Sequence, residues 1–395
     1  MNIIDWILYI PLTLCVSYLL IFAIASKFYR TPRYPEAKTY CRFAVLFPAY
    51  KEDQVIVSSV RSFLEQNYPP DKFNIIVISD QMKPTTNKEL SSLPIRLLIA
   101  HYTESSKARA LRMAIDAIEG ETYDGIIIMD ADNLTIPNFL SEINKAFNNG
   151  IDSVQAHRTG KNLNTSISIL DSISEEINNS FFRSGHNVLG LSAGLSGSGM
   201  AFNANWFRKN VAHLQSAGED KELEALLLRQ GIHTVYLRQL PVYDEKVEKK
   251  EAIGNQRKRW IAAQFGTLYT SLPYFPKALL QGNLDYCNKI FQWMLPPRLI
   301  QLAGVFGFTI FFTTFGVYMS LQGHEQEWQI SIKWWILSFA QITAMILPIP
   351  GEMLNRRLLL SILQLPTLTI TTIKNLFKLK GAYKKFIHTK HGDHE

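Results

Sequence analysis

Two aspartates one residue apart, Asp130 and Asp132, follow directly on the apolar run Gly125-Ile126-Ile127-Ile128-Met129. A β-branched run of this kind suits a central parallel strand covered on both faces, and open α/β sheets collect ligands beyond the carboxyl ends of such strands. The pair is therefore aimed at a place where the fold positions chemistry. Hard carboxylate oxygens, with few imidazoles or thiolates nearby, suit Mg²⁺ or Mn²⁺. Mg²⁺ commonly holds on through one or two carboxylates plus the phosphates of a substrate. A nucleotide diphosphate is the expected substrate group. The competing reading is a simple cap, since Asp is common at strand ends and helix starts. Convergence of other acidic groups on the same edge separates the two.

The neighbouring elements supply that test. Arg42 to Pro48 reads as a buried strand, followed by the loop Ala49-Tyr50-Lys51-Glu52-Asp53. A helix is expected over Val55 to Gln66, whose Val57, Val60, Phe63 and Leu64 recur at helical spacing. Beyond the turn Asn67-Tyr68-Pro69-Pro70, Phe73 to Ser79 reads as a second strand ending at Asp80, and Pro94 to Ala100 as a third. Ser106 to Glu119 is a helix with Ala110, Leu111, Ala114, Ile115 and Ile118 on one face. Strands alternating with helices imply an α/β domain with a mostly parallel sheet. Tyr50 with Glu52, Asp80, and Asp130 with Asp132 then leave strand ends on one edge. Capping alone does not require acids at several strand ends.

Long apolar stretches flank this domain. At 395 residues and 47% hydrophobic residues, with a mean hydropathy of -0.01, the chain is more apolar than a soluble enzyme of its size. Trp6 to Ser26, Leu299 to Leu321 and Trp334 to Gly351 contain no Asp, Glu, Lys or Arg, and three membrane helices are expected there. Lys27, Arg30, Arg33, Lys38 and Arg42 follow the first, Arg298 precedes the second, and Arg356 and Arg357 follow the third. Glu325 and Glu327 occupy the short loop between the last two. This bias puts the middle region in the cytoplasm. Expected boundaries are a membrane helix over 1–30, a catalytic domain over 38–272, and interfacial and membrane helices with a basic tail over 273–395.

The formal charge of +7 is concentrated in that tail: Arg356 to Lys390 holds eight basic residues and no acid. A tail against anionic lipid headgroups is expected, and nucleic acid is not. Leu358 to Phe377, with basic residues on both sides, reads as an interfacial or re-entrant helix broken near Pro366. Tyr286 to Leu295 reads as an amphipathic helix on the membrane surface. Cys15, Cys41 and Cys287 have no metal spacing and support no disulfide framework. His157, His186 and His213 have no ligand spacing either and are read as surface or packed residues.

Further on come the stretch Leu189 to Phe202 with Gly194-Leu195-Ser196-Gly197-Ser198-Gly199, then Ala217-Gly218-Glu219-Asp220, then Gln256-Arg257-Lys258-Arg259-Trp260. In that order, behind Asp80 and Asp130-Ala131-Asp132, these resemble the successive motifs of an inverting family 2 glycosyltransferase of the GT-A type. The resemblance spans Arg42 to Trp260 and is greatest to membrane synthases similar to cellulose, chitin and hyaluronan synthases. It implies a nucleoside contact for Asp80, a place near the nucleotide for Lys107, and a diphosphate and metal site at Asp130 and Asp132. It also implies a general base at Asp220, beside Glu219. Gln256, Arg259 and Trp260 match the motif that closes over the diphosphate and the acceptor terminus. Arg259 can bind phosphate bidentately, and Trp260 offers a flat face for a sugar ring.

The pattern has departures. Gln81-Met82-Lys83 follows Asp80 where the family more often continues with an acid, glycine or serine. The acceptor loop Gly197-Ser198-Gly199 lacks the proline or cysteine of some relatives. Three spans are also few for a polymer tunnel, which leaves room for a second copy or an export partner. The expected activity is transfer of a hexose or N-acetylhexosamine from a UDP-sugar to a growing saccharide. The rivals are transfer of one sugar to a polyprenyl phosphate or other lipid, and a catalytically silent scaffold or nucleotide-sugar sensor.

Overall fold

β-Branched runs with no polar face need cover on both sides, and the strands are buried accordingly. The computed structural model describes residues 2–248, 250–323 and 329–376. In chain order, α1 (Asn2–Ser26) leads to β1 (Phe43–Tyr50), α2 (Ile56–Leu64), β2 (Phe73–Asp80), α3 (Pro84–Ser91), β3 (Arg96–Ala100), α4 (Lys107–Ala117) and β4 (Gly125–Ile128). Next come β5 (Leu134–Thr135), α5 (Phe139–Asn148), β6 (Ser153–Gly160), α6 (Ser166–Asn179), α7 (His186–Val188), β7 (Met200–Asn203), α8 (Ala204–Asn210), α9 (Glu219–Arg229) and β8 (Val235–Asp244). The rest is helical: α10 (Lys250–Ser271), α11 (Phe275–Leu280), α12 (Leu284–Met294), α13 (Arg298–Leu321), α14 (Gln329–Ile346), α15 (Arg356–Ile362) and α16 (Leu365–Leu376).

One sheet has the order β3-β2-β1-β4-β7-β6-β8-β5. β3, β2, β1 and β4 run parallel, so their carboxyl ends share an edge. Alternate residues of β1 enter two cores: Phe43, Val45 and Phe47 pack with Val60 and Phe63 of α2, and Ala44 and Leu46 with Leu111 of α4. The antiparallel β7 enters between β4 and β6, which returns the chain to the same edge through the preceding Gly-Ser stretch.

α1 and α13 are long and apolar enough to cross a membrane, and only 22% and 28% of their apolar windows are buried. The third span expected over Trp334 to Gly351 is helical only to Ile346, within the 18-residue α14; among the described residues α1 and α13 alone are long and apolar enough to cross, and α14 packs against both while exposing Trp335, Ile336 and Phe339. Charges sit just outside the stretches read as spans. Asp5 is buried, pairs with Lys333, and accepts from Trp334 Nε1 at 2.9 Å.

Tyr286, Ile290 and Trp293 of α12 bury against Ala225, Leu228 and Ala278. Lys289 beside them is fully buried on Glu224 at 2.8 Å. The apolar stripe expected to rest on lipid is thus covered by the catalytic domain, because a nearby protein face hides it from water equally well. The helix expected over Leu358 to Phe377 divides between α15 and α16 just before Pro366. Glu325, Glu327, Phe377 and the tail lysines from Lys378 onward lie outside the described residues.

Candidate active site

The first parallel strands end in abrupt turns. Tyr50 of β1 and Asp80 of β2 are register partners, and the residues after them, Lys51 and Gln81, take φ of 55° and 54°. Non-glycine residues rarely occupy this left-handed region, so both turns are held by their surroundings. The Lys51 N–H donates to the Asp80 carbonyl at 3.1 Å. Asp80 is 4% exposed and its Oδ1 is buried without a hydrogen-bond partner. Burial raises its pKa, against the Ser105 hydrogen bond and Lys51, which lower it. A lone buried acceptor at a strand end fits a ligand that brings its own N–H or O–H. Glu52, also buried, gives its N–H to Met82 Sδ at 3.0 Å.

Lys107 ties the remaining segments together. Ser106 caps α4 by accepting the Arg109 N–H at 3.2 Å, which makes Lys107 the first helical residue. Its Nζ lies 2.5 Å from Asp130 Oδ1, 2.8 Å from the Gly197 carbonyl and 3.4 Å from Glu219 Oε1. Burial alone would lower its pKa, but Asp130 and Glu219 reverse the effect and raise it. The group is a fixed cation between a strand end, the Gly-Ser loop and the start of α9.

Far from flexible, that loop is bonded along its length. Arg183 Nε donates to the Gly194 carbonyl at 3.0 Å, the Ser196 N–H to Gln155 Oε1 at 3.0 Å, and Arg158 Nη1 to the Ser196 carbonyl at 2.9 Å. Gln155 Nε2 donates to the Ser198 carbonyl at 3.0 Å. Gly199 has a φ of 62°, and a Cβ there would lie 2.8 Å from Val242 Cγ2. The Ser198 hydroxyl donates to Asn133 and accepts the Asp130 N–H at 2.9 Å.

Glu219 and Asp220 open α9. Glu219 is 6% exposed; burial raises its pKa, Lys107 lowers it, and Asp220 and Asp130 raise it again, to about 7. Packing of α10 brings Arg259 to the same place: a Cβ on Gly218 would lie 2.6 Å from Ala263 Cβ. Burial lowers the Arg259 pKa while Glu219, Asp130 and Asp220 pull it up. One turn earlier Gln256 is buried with its Oε1 unpartnered, and Trp260 is half-buried beside Arg259. A cleft of about 1170 Å³ adjoins the site, lined by Tyr50, Ser105, Ser106, Glu222, Arg229 and Tyr274 among others. Its lining includes Glu104 and Glu222 but none of Asp80, Asp130, Asp132, Glu219 and Asp220.

Several members carry no sequence signal. Arg158 of β6 is paired with Asp244 Oδ2 at 2.7 Å, and Lys246 lies 3.0 Å from Asp244 Oδ1. The Glu245 N–H donates to Asp132 Oδ2 at 2.7 Å, and Asn133 Nδ2 to Asp132 Oδ1 at 3.3 Å. Only Asn133 and the Asp244-Glu245-Lys246 run at the end of β8 offered a cue, as polar residues at strand ends. Of the histidines, His186 is fully buried, stacked on Phe22 at 4.2 Å. His157 pairs with Glu176 at 3.1 Å, and His213 lines the cleft.

The donor set suits a divalent cation. Asp130 and Asp132 supply hard oxygens at one strand end, and among the described residues no cluster of three His, Cys, Asp or Glu forms a ready metal cage. A bound Mg²⁺ or Mn²⁺ would complete its shell with phosphate and water oxygens, as such ions do at nucleotide sites.

Comparison with known proteins bears on the family and the fold. A family model described as Glycosyltransferase like family 2 matches residues 41–263. Cellulose synthase 2 of Novacetimonas hansenii is 24% identical over 325 residues, which cover 76% of this chain but only 19% of that protein. The solved mannosyltransferase PcManGT from Pyrobaculum calidifontis, in complex with GDP-Man and Mn²⁺, is similar at a TM-score of 0.52 and 14% identity, over 85% of this chain and 99% of that one. The fold is of the GT-A type.

Proposed function

Because the chain belongs to the family 2 glycosyltransferases, we propose that it is a membrane-embedded, inverting enzyme that transfers a hexose or N-acetylhexosamine from a UDP-sugar to a growing saccharide. The observation that carries this reading is the Lys107 ammonium, which joins Asp130, the Gly197 carbonyl and Glu219 at one point. Three separate motifs, the strand end at Asp130, the Gly-Ser loop and the start of α9, meet at this one cation.

Each residue has a physical task. Asp80 accepts from the nucleoside with its lone Oδ1. Asp130 and Asp132 would hold a divalent cation, whose charge would offset that of a diphosphate. Lys107 and Arg259 add fixed positive charge beside them. Asp220 takes the proton from the acceptor hydroxyl as its oxygen attacks the anomeric carbon from the face opposite the diphosphate. The C–O bond to phosphate breaks, and the nucleoside diphosphate leaves with the electron pair. One displacement inverts the anomeric centre and needs no covalent intermediate.

Membrane placement is supported by the apolar residues that α1, α13 and α14 leave uncovered, such as Ile7, Ile10, Ile310, Phe311 and Phe339, a larger patch than soluble proteins keep exposed. A saccharide acceptor is favoured by the likeness to a cellulose synthase and by Trp260 beside Arg259.

Purified protein is incubated with Mn²⁺ and, separately, UDP-glucose, UDP-N-acetylglucosamine and UDP-galactose, and both UDP release and product mass are read. One donor is expected to give UDP and a saccharide ladder. A one-sugar lipid product would replace the acceptor assignment, and no UDP from any donor would sink the enzyme reading. Asp220→Asn is expected to lower transfer by about a hundredfold or more while UDP binding persists. Equal loss of binding and rate would reject Asp220 as the base.

A further inference from the structure

Three polar side chains of α12 are each committed to a different segment. Asp285 accepts the Ser192 N–H with both carboxylate oxygens at 3.0 Å and accepts from the Ser192 hydroxyl as well. Asn288 shares a hydrogen bond with His186 Nε2 at 2.9 Å, and its Oδ1 accepts from the Tyr18 hydroxyl of α1 at 3.0 Å. Lys289, one turn after Asp285, is fully buried and donates to Glu224 Oε1 of α9 at 2.8 Å. That same Oε1 accepts the Leu195 N–H at 3.3 Å.

α12 therefore holds the opening of the Gly-Ser stretch at two points, Ser192 directly and Leu195 through Glu224. A little further on, the same stretch reaches the charged cluster. The Gly197 carbonyl accepts from Lys107 Nζ at 2.8 Å, and the Ser198 hydroxyl accepts the Asp130 N–H at 2.9 Å. The other side of the site is tied to α12 too. Gln264 Nε2 of α10 donates to the Trp293 and Leu295 carbonyls at 2.9 and 3.1 Å, and the Tyr286 hydroxyl donates to the Ser271 carbonyl at 2.8 Å. One helix thus fixes the loop, α9, and the helix that carries Gln256, Arg259 and Trp260.

Stability alone does not call for the buried ion pair. Apolar side chains of similar volume commonly join two helices as well as such a pair does, because they avoid its desolvation. What they cannot do is accept the Leu195 N–H. The loop also runs close against this carboxylate: a Cβ on Gly194 would lie 3.2 Å from Glu224 Oε1. We propose that Asp285 and Lys289 of α12, the latter by orienting Glu224, are positioning residues that set the Gly-Ser loop against Lys107 and the acceptor. The inference rests on the transferase reading of the site.

Two double variants separate positioning from packing. Glu224→Gln with Lys289→Met removes both charges and keeps an oxygen for the Leu195 N–H, whereas Glu224→Met with Lys289→Met removes the oxygen as well. UDP release is measured with whichever UDP-sugar the wild type turns over, at a temperature below both melting transitions, alongside UDP binding. The Gln/Met protein should keep most of the wild-type kcat. The Met/Met protein should lose kcat about tenfold or more, since small displacements of a positioning element act on the rate, while KM for the donor and UDP affinity stay within about twofold. Asp285 supplies a second comparison should either double variant fail to fold: Asp285→Ala should lower kcat, and Asp285→Asn, which retains an acceptor for Ser192, should restore most of it. Equal kcat in the two double variants, equal kcat in Asp285→Ala and the wild type, or a loss of UDP affinity that matches the loss of rate would overturn the proposal. A wild type that releases no UDP from any donor rejects the transferase reading and this inference with it; an active wild type with matched variants rejects the inference alone.

Discussion

Lys107 and Glu219 set opposite electrostatic demands within 3.4 Å of each other. Removing the cation leaves Glu219 and Asp130 facing each other in a buried space. Lys107→Met is therefore expected to destabilise the fold by about 3 kcal/mol, the usual penalty for orphaning a buried charge, and to weaken UDP binding. Denaturant melts and UDP titration check both effects, and a variant that bound UDP normally would remove Lys107 from the donor site. Glu219 gives the pH dependence. Its folded pKa of about 7 lies above the ordinary value of 4.5, so the folded chain holds a proton that the unfolded chain has already released. The stability from this proton is fully present below pH 4.5 and is lost as pH rises through 7. Glu219→Gln should flatten the decline in Tm across that window; an unchanged slope would assign it to other groups. At this scale the sequence singled out Asp80, Asp130, Glu219, Asp220 and Arg259 because they sit in ordered motifs, and the fold brings Asp130 and Glu219 to one lysine. Arg158 was not singled out, because a single arginine on a strand has no spacing to mark it, and only the fold brings Asp244 and Ser196 to it.

Elements were legible where their pattern is local. β1 to β4 are apolar runs bounded by turn residues, and each formed within a residue or two of its expected limits. β7 was hidden because its four residues follow a glycine-rich stretch and pair with strands distant in the chain. The stripe on α12 shows a further limit: amphipathicity says that a face is covered, not whether protein or lipid covers it. Two glycines report how closely elements must approach. A Cβ on Gly218 would lie 2.6 Å from Ala263 Cβ, so Gly218→Ala should push α10 from α9 and carry Arg259 away from Glu219. Adding Ala263→Gly to that variant should restore most of the lost transfer. A Cβ on Gly185 would lie 2.4 Å from the Phe22 carbonyl of α1. Backbone cannot yield as a side chain can, so Gly185→Ala should lower Tm and has no comparable single rescue.

Across the whole molecule, α1 and α14 are fastened at both ends by different means. At the catalytic end Phe22, Ala23 and Ala344 share one apolar cluster with Ile173 and Phe181. At the other end Asp5 pairs with Lys333 and accepts from Trp334, and Lys333 lies 3.8 Å from the centre of the Trp6 ring. On the proposed placement this ion pair sits at the far face of the membrane, where neither charge has a soluble domain to shelter it. Its value depends on what replaces it. Asp5→Asn strands Lys333 among apolar residues and should destabilise the helix bundle by about 3 kcal/mol, whereas Asp5→Asn with Lys333→Met removes both charges and should recover most of that loss. Thermal melts of detergent-extracted protein read the difference, and transfer activity should follow Tm because the catalytic groups are untouched. If the single variant melts like the wild type, the pair does not hold α1 to α14, and the apolar cluster at the catalytic end is sufficient to dock the helices.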